Sequence, residues 1–316
     1  MTVMNNATIK WLIAICVVTI FLGRSDGGEL QTDVKLESNP GQTPMTYDVL
    51  LPDGYDNSDQ TYPLVLFLHG GGANGYVLLR TSQDWIQELW DQDLLPPMVL
   101  VTPHVGPFSF YLDFEDGSQK WESLVTGPFL KEVRSKYRVS PEPHRTLMAG
   151  VSMGGAGALQ IGLKHPEQFR AIAAVEPAIQ PALRWKDVDK KMFFWFTSEQ
   201  WEERFGKPIS GEYWEANNPA NIASGCANQI RESEVKIYLD CADEDYMQLH
   251  EGAEFLHRTM WDAGIKHEYH VFNGADHVGR TVKPRVQAAL QFIGRSLVET
   301  KPDPDVIEFR KDMDFW

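Results

Sequence analysis

Ser152 is the side chain whose surroundings most strongly indicate nucleophilic chemistry. It stands in the stretch GVSMGG, residues 150–155, where an apolar run that predicts a strand ends and a pattern that predicts a helix begins. Flanking glycines allow a sharp turn between the two elements, and such a turn lifts a hydroxyl above the end of a sheet. The same glycines would also let the helix lie close on the strand. The Gly-x-Ser-x-Gly spacing alone is weak, but its position between strand and helix favours a nucleophile elbow.

A serine nucleophile needs a histidine base and a carboxylate that orients this base. In the architecture that an elbow implies, both follow the serine along the chain, first the acid and then the histidine. The downstream histidines considered are His250, His257, His267, His270 and His277. We predict His277 as the base, because it lies in the loop NGADHVG directly after a predicted strand. Ligands of such sheets bind beyond the carboxyl ends of the strands.

The acid is expected in the segment IYLDCADEDYMQLH, which covers the end of another predicted strand. We favour Asp245, because an acid on the loop past the strand can accept a hydrogen bond from the imidazole and fix its tautomer. Asp243 is the alternative. The carboxylates of this segment that are not catalytic are interpreted as charges favoured by the dipole of the following helix.

Backbone N–H groups that could stabilise an oxyanion are expected in FLHGGGANG, residues 67–75. Gly70, Gly71 and Gly72 follow a predicted strand and can bring an N–H against an acyl oxygen, together with the N–H of Met153. A flexible glycine turn without this role is the alternative interpretation.

Short apolar runs alternate with helical patterns along most of the chain. The runs that predict central strands are YPLVLFLHG, PPMVLVTP, RTLMAG, RAIAAVE and VKIYLDC. Nearly continuous runs of this kind are typical of parallel strands that are covered on both faces. The sequence therefore predicts an α/β fold with a mostly parallel central sheet and helices on both faces.

Charge and cysteine content exclude several classes of function. The 316 residues carry 44 acidic and 29 basic side chains, a formal net charge of −15. This negative charge disfavours binding to phosphate backbones, so no nucleic-acid partner is expected. No His and Cys cluster has the spacing of metal ligands, and we predict neither a metal nor another cofactor. Cys226 and Cys241 could pair in an exported protein, but two thiols are the preferred interpretation.

Residues 1–25 contain the apolar run WLIAICVVTIFLG, which is shorter than a membrane-spanning helix. We interpret them as a secretory signal peptide, which predicts a periplasmic or extracellular location. An uncleaved N-terminal anchor is the alternative, and membrane contact is expected only in that case. Residues 30–300 are predicted to form the catalytic domain, and residues 301–316 a C-terminal tail whose function is unreadable.

Aromatic residues near the predicted site are weaker candidates for substrate binding. Phe108 and Tyr111 follow the strand PPMVLVTP, whereas Trp195 and Trp214 belong to the aromatic-rich stretch 193–217. This stretch is either a cap over a pocket or a satellite core whose rings bury one another.

The chain resembles the esterase D family of α/β-hydrolases, which includes S-formylglutathione hydrolases, feruloyl and acetyl-xylan esterases, and mycolyltransferases. The motifs that carry the resemblance, in family order within residues 45–298, are YPLVLFLHGGGANG, AGVSMGGAGAL, LDCADED and GADHVG. The resemblance implies an α/β-hydrolase fold with Ser152 as nucleophile, Asp245 as acid and His277 as base. It also implies Gly71 and Met153 as the oxyanion donors.

Three functions agree with these features. The first is an exported serine hydrolase that cleaves small-molecule or polysaccharide-linked carboxylic esters through an acyl-enzyme. An acyltransferase or peptidase on the same fold is the second, and a non-catalytic binding module is the third. The first is favoured over the third because no expected catalytic side chain is missing from the sequence.

Overall fold

The structure, a computed structural model, describes residues 28–38, 45–72, 77–190, 196–299 and 303–312. Its centre is a single eight-stranded sheet formed largely by the apolar runs. The strands are Leu30–Lys35 (β1), Thr46–Leu50 (β2), Leu64–Leu68 (β3), Val99–Pro103 (β4), Thr146–Val151 (β5), Ala171–Val175 (β6), Lys236–Ala242 (β7) and Glu268–Phe272 (β8).

The strand order in the sheet is β1-β2-β4-β3-β5-β6-β7-β8. β1 pairs with β2 and β2 pairs with β4 in antiparallel orientation, whereas every neighbouring pair from β4 to β8 is parallel. The predicted mostly parallel sheet is therefore confirmed. The carboxyl ends of β5, β6, β7 and β8 lie side by side along one edge, which is where such sheets bind ligands.

Helices cover both faces of the sheet. The α-helices of the described residues are Leu78–Asp91 (α1), Trp121–Leu124 (α2), Leu130–Lys136 (α3), Met153–Lys164 (α4), Ser198–Phe205 (α5), Gly211–Asn217 (α6), Pro219–Gly225 (α7), Ala227–Ser233 (α8), Leu249–Asp262 (α9), Val282–Ser296 (α10) and Pro304–Asp312 (α11). α1 and α10 pack on one face, and α4, α7 and α9 pack on the other. Within the described residues, no helix is long and apolar enough to cross a membrane.

β3 shows why the central strands are apolar at nearly every position. Leu64 and Leu66 belong to the core on the α4 face, while Val65 and Phe67 belong to the core on the α1 face. Successive side chains of a strand point to opposite faces, so a strand covered on both faces needs apolar residues throughout.

The aromatic-rich stretch forms a satellite core over its described part. Phe196, Trp201, Phe205 and Trp214 are buried together against Leu112. The rings of Phe196 and Trp201 meet edge to face with their centroids 4.7 Å apart. This packing favours the satellite-core interpretation of residues 193–217 over a cap.

The two cysteines within the described residues do not form a disulfide. Cys226 is half-buried and Cys241 is buried, and both are free thiols.

Residues 1–25, interpreted above as a signal peptide, lie outside the described residues. Within the tail, α11 is exposed along its described side chains.

Gly252 tests how closely α9 must pack. A Cβ built on Gly252 would lie 2.0 Å from the carbonyl oxygen of Ile179, so Gly252→Ala must push the helix away from the backbone. We expect the variant to lose about 1–3 kcal/mol of unfolding free energy or more. Gly225→Ala is the matched control, because a Cβ on Gly225, in α7, meets open space. Urea denaturation should show the control unchanged or slightly stabilised; equal losses in both variants would contradict the close packing.

Candidate active site

Ser152 occupies a strained turn between two regular elements. It follows the last residue of β5 and precedes the first residue of α4, with φ 57° and ψ −116°. A non-glycine residue in such a conformation costs about 1–3 kcal/mol and persists only where the surroundings hold it. Here the Ser152 N–H donates to Val175 O at 2.8 Å, and Ser152 O accepts from Ala156 N at 3.0 Å and from Ala178 N at 3.1 Å.

The two flanking glycines are required by close contacts. A Cβ on Gly150 would lie 2.1 Å from the carbonyl oxygen of Gly154, and a Cβ on Gly154 would lie 2.1 Å from the carbonyl oxygen of Leu68. Neither glycine has a positive φ. The residue with a positive φ at this turn is Ser152. The glycines therefore allow β3, β5 and α4 to approach so closely that the serine is forced to turn outward.

Three predicted residues meet at this turn. The Ser152 Oγ lies 3.1 Å from His277 Nε2, and His277 Nδ1 lies 3.3 Å from Asp245 Oδ2. If Nδ1–H donates to the carboxylate, Nε2 is left as the acceptor for the serine hydroxyl. His277 lies on the loop after β8 and Asp245 on the loop after β7. The arrangement can therefore pass the Ser152 proton to an oriented imidazole.

Asp245 is held by backbone donors as well as by the imidazole. Its Oδ1 accepts from Met247 N at 2.7 Å, and its Oδ2 accepts from Leu249 N at 3.3 Å. Burial works to raise the pKa of Asp245, but hydrogen bonding to His277 and to neighbouring groups holds it below its usual value. Asp245 is thus a carboxylate at neutral pH. The alternative acid, Asp243, is exposed and accepts a bond from Ala275 N instead.

The glycine loop lies beside the amino end of α4. A Cβ on Gly71 would lie 3.7 Å from the Cβ of Met153, so the two backbones are neighbours. Met153 begins α4, and N–H groups in the first helical turn have no carbonyl partner within their helix. His69 Nδ1 and Gly70 O lie 2.7 Å apart in hydrogen-bond contact. Burial lowers the pKa of His69 to about 4, so the imidazole is neutral and its Nδ1–H can fix this loop.

Ser152 and His277 open into a cavity of about 610 Å³. Its lining residues are Gly70, Gly71, Gly72, Phe108, Phe110, Val151, Ser152, Met153, Ala178, Tyr246, Met247, Leu249, His277, Val278, Gly279 and Val282. The walls are mainly apolar, as in sites that hold an apolar part of a small ligand. Phe108, a predicted substrate-binding residue, lies in the cavity wall. Tyr246 and Val278 were not predicted, although each directly follows a predicted catalytic residue in the sequence.

Two other aromatic predictions are wrong. Tyr111 is fully buried and its Oη–H donates to His69 O at 3.2 Å, while Trp214 is buried in the satellite core. Phe110, the residue before Tyr111, lines the cavity instead, as Phe108 does. Trp195 lies outside the described residues.

Sequence reasoning also missed a buried charged cluster next to the site. Glu176, Asp240 and Arg285 are each almost fully buried, and Arg285 bridges the two acids. Carboxylate oxygens of Glu176 and Asp245 and a ring nitrogen of His277 lie within 4.8 Å of one another. No short motif joins these residues, which come from four separate parts of the chain.

The chain is similar to known esterase sequences. The model of the esterase family, described as "Putative esterase", matches residues 38–293. An esterase of Mycobacterium tuberculosis is 32% identical over 177 residues, which are 50% of this chain and 37% of that protein. An acetyl esterase of Caldicellulosiruptor saccharolyticus is 35% identical over 74 residues, 23% of this chain and 28% of that protein. The chain thus matches only 37% and 28% of the lengths of these two relatives.

Solved structures share the fold. A ferulic acid esterase superposes with a TM-score of 0.70 and 22% identity, covering 86% of this chain and 99% of that one. An S-formylglutathione hydrolase from Agrobacterium tumefaciens superposes with a TM-score of 0.68 and 18% identity, covering 86% of this chain and 96% of that one. The strand order, the strained serine turn and the family match over residues 38–293 lead to one conclusion: the chain has the α/β-hydrolase fold and belongs to the esterase family.

Proposed function

We propose that the protein is a serine hydrolase that cleaves carboxylic esters through an acyl-enzyme. Ser152 is the nucleophile, His277 the base and Asp245 the acid that orients it. The observation that carries the proposal is the 3.1 Å distance between Ser152 Oγ and His277 Nε2 in the lining of a mainly apolar cavity. Membership of the esterase family and the esterases among its relatives support the same chemistry.

In the first half of the reaction, Ser152 Oγ attacks the carbonyl carbon of the ester and its proton passes to His277 Nε2. The imidazolium that forms is stabilised by the carboxylate of Asp245. When the tetrahedral intermediate collapses, the bond to the alcohol oxygen breaks and His277 returns the proton to that oxygen. An alcohol leaves, and the acyl group stays on Ser152.

In the second half, a water molecule replaces the alcohol. His277 takes a proton from the water, whose oxygen attacks the acyl carbon. The bond to Ser152 Oγ then breaks, His277 returns the proton to this oxygen, and the carboxylic acid leaves.

The oxyanion of both tetrahedral intermediates is stabilised by the N–H groups of Gly71 and Met153. Support for this assignment comes from the contact between the two residues and from the position of Met153 at the start of α4. Loss of one such donor typically costs about 3–4 kcal/mol of transition-state stabilisation.

The substrate is a small-molecule or polysaccharide-linked ester with an apolar or aromatic part. Phe108, Phe110 and Met247 line the cavity around Ser152 and offer apolar surface for that part. The ferulic acid esterase of Anaeromyces mucronatus, a structural neighbour, was solved in complex with ferulic acid. We also propose export, on the basis of the apolar segment in residues 1–25.

Ser152→Ala tests the proposal directly. The variant lacks the nucleophile, so turnover of p-nitrophenyl acetate and butyrate should fall by about 10⁶-fold in kcat, to the level of residual catalysis. A fluorophosphonate probe should label wild-type protein at Ser152 and leave the variant unlabelled. Wild-type activity that survives in Ser152→Ala would refute the mechanism, and a folded wild type that takes no label would favour a non-catalytic binding module.

Asp245→Asn and Asp243→Asn form a matched pair that tests the acid. The first removes the charge and the acceptor that fix the imidazole, so kcat should fall by about 10⁴-fold. The second changes an exposed carboxylate away from His277 and should alter kcat by less than about twofold. Steady-state kinetics on one ester at pH 7 measure both. A larger loss in Asp243→Asn than in Asp245→Asn would reverse the assignment.

A further inference from the structure

Glu176 is a buried neighbour of the proposed acid. It follows the last residue of β6, is 1% exposed and has φ 48°. Its carboxyl oxygens accept bonds from Ala242 N at 3.2 and 2.9 Å, and Arg285 Nη2 contacts Oε2. A carboxyl oxygen of Glu176 lies within 4.8 Å of one on Asp245, and both residues are buried. No step of the proposed ester cleavage uses this carboxyl group.

The charge balance of the cluster calls for a proton. Glu176, Asp240 and Asp245 are three buried acids, and Arg285 is the guanidinium that contacts two of them. Three ionised acids would leave an excess of negative charge away from water, which is costly. Two neighbouring carboxyl groups avoid this cost by sharing one proton.

Among the described residues, the side chains of Asp240 and Asp245 each make hydrogen bonds with three residues, whereas the Glu176 side chain accepts from two, so Glu176 is the acid that best holds the proton. Burial raises the pKa of Asp240, but Arg285 and the Tyr238 hydroxyl both donate to it and favour its charged form. Asp245 receives bonds from two backbone N–H groups and contacts the His277 ring. Glu176 stands between these acids. Burial and the contact with Asp245 raise the pKa of Glu176 to about 8, against the opposing effect of Arg285.

We propose that Glu176 is a positioning residue: its neutral carboxyl group donates a hydrogen bond to the Asp245 carboxylate and holds it in the orientation that His277 needs. This inference rests on the proposed function. Glu176 does not touch the reacting atoms, and its effect reaches Ser152 through Asp245 and His277.

A loss of activity at alkaline pH follows. The titratable or charged groups that face Glu176 are Asp240, Cys241 and Asp245 on or after β7, Tyr269 on β8, His277 after β8 and Arg285 on α10. When Glu176 loses its proton, two carboxylates face each other and Asp245 loses a donor. The imidazole is then oriented less well, so kcat should fall.

Glu176→Gln separates this role from a structural one. The amide can donate to Asp245 and accept from Arg285 and Ala242, but it cannot ionise. We expect kcat at pH 7 to fall by about two- to fivefold, because a neutral amide is a weaker donor, and the alkaline decline to disappear. Glu176→Ala should lower kcat by about 100-fold through misplacement of the acid. Glu232→Gln, an exposed control on α8, should keep the wild-type profile.

Thermal unfolding gives a readout that does not need activity. The folded wild type holds the Glu176 proton up to about pH 8, whereas an unfolded glutamate releases it near pH ~4.3. Between these values the folded state binds more protons, so wild-type stability falls as pH rises. The Tm of Glu176→Gln relative to wild type should therefore increase from pH 5 to pH 8.

Each outcome decides the inference. A constant Tm difference would show that Glu176 is ionised in the folded protein and would overturn the inference. Superimposable pH–rate profiles for wild type and Glu176→Gln would also overturn it, while wild-type turnover that depends on Ser152 leaves the proposed function intact. A wild type without such turnover overturns both.

Discussion

The site depends on one steric constraint, the contact of three backbone segments around Ser152. Gly150 and Gly154 allow β3, β5 and the start of α4 to meet at distances that no Cβ would fit. The chain turns away from this contact through a positive φ at Ser152. Backbone hydrogen bonds of Ser152 with Val175 and Ala178 stabilise the turn. The strain of about 1–3 kcal/mol is therefore offset by the surrounding sheet. Because Met153 begins the helix at the same point, one turn places both the proposed nucleophile and a proposed oxyanion donor.

The other polar side chains of the site follow the strands that succeed β5 in the sheet. Ser152 follows β5, Glu176 follows β6, Asp245 follows β7 and His277 follows β8, and these four strands are neighbours in the sheet. Parallel strands about 4.8 Å apart thus set side chains from distant parts of the chain within hydrogen-bond reach. Arg285, on α10, forms ion pairs with Glu176 and Asp240 and neutralises part of the negative charge of these buried acids. We propose that the buried carboxyl group of Glu176 orients Asp245, which contacts the His277 ring at the cavity.

Much of this could be predicted from local sequence. Apolar runs without alternation predicted buried parallel strands, and the glycine pattern around Ser152 predicted the turn. His277 and Asp245 could be proposed because each follows a strand on a loop, although only the structure shows that Asp245 rather than Asp243 contacts the ring. Glu176 was missed because its partners depend on strand order and not on spacing. Tyr111 and Trp214 were wrongly predicted to bind substrate, because the sequence does not distinguish an aromatic residue in a pocket wall from one in a buried core.

The most direct test is a crystal structure of the protein after reaction with a small alkyl phosphonate. The account predicts phosphorus bonded to Ser152 Oγ and a phosphoryl oxygen about 2.7–3.1 Å from the backbone nitrogens of Gly71 and Met153. The His277 ring should stay within reach of the bound oxygen. A phosphonate on another residue, or one whose oxygen points away from both nitrogens into solvent, would contradict the account.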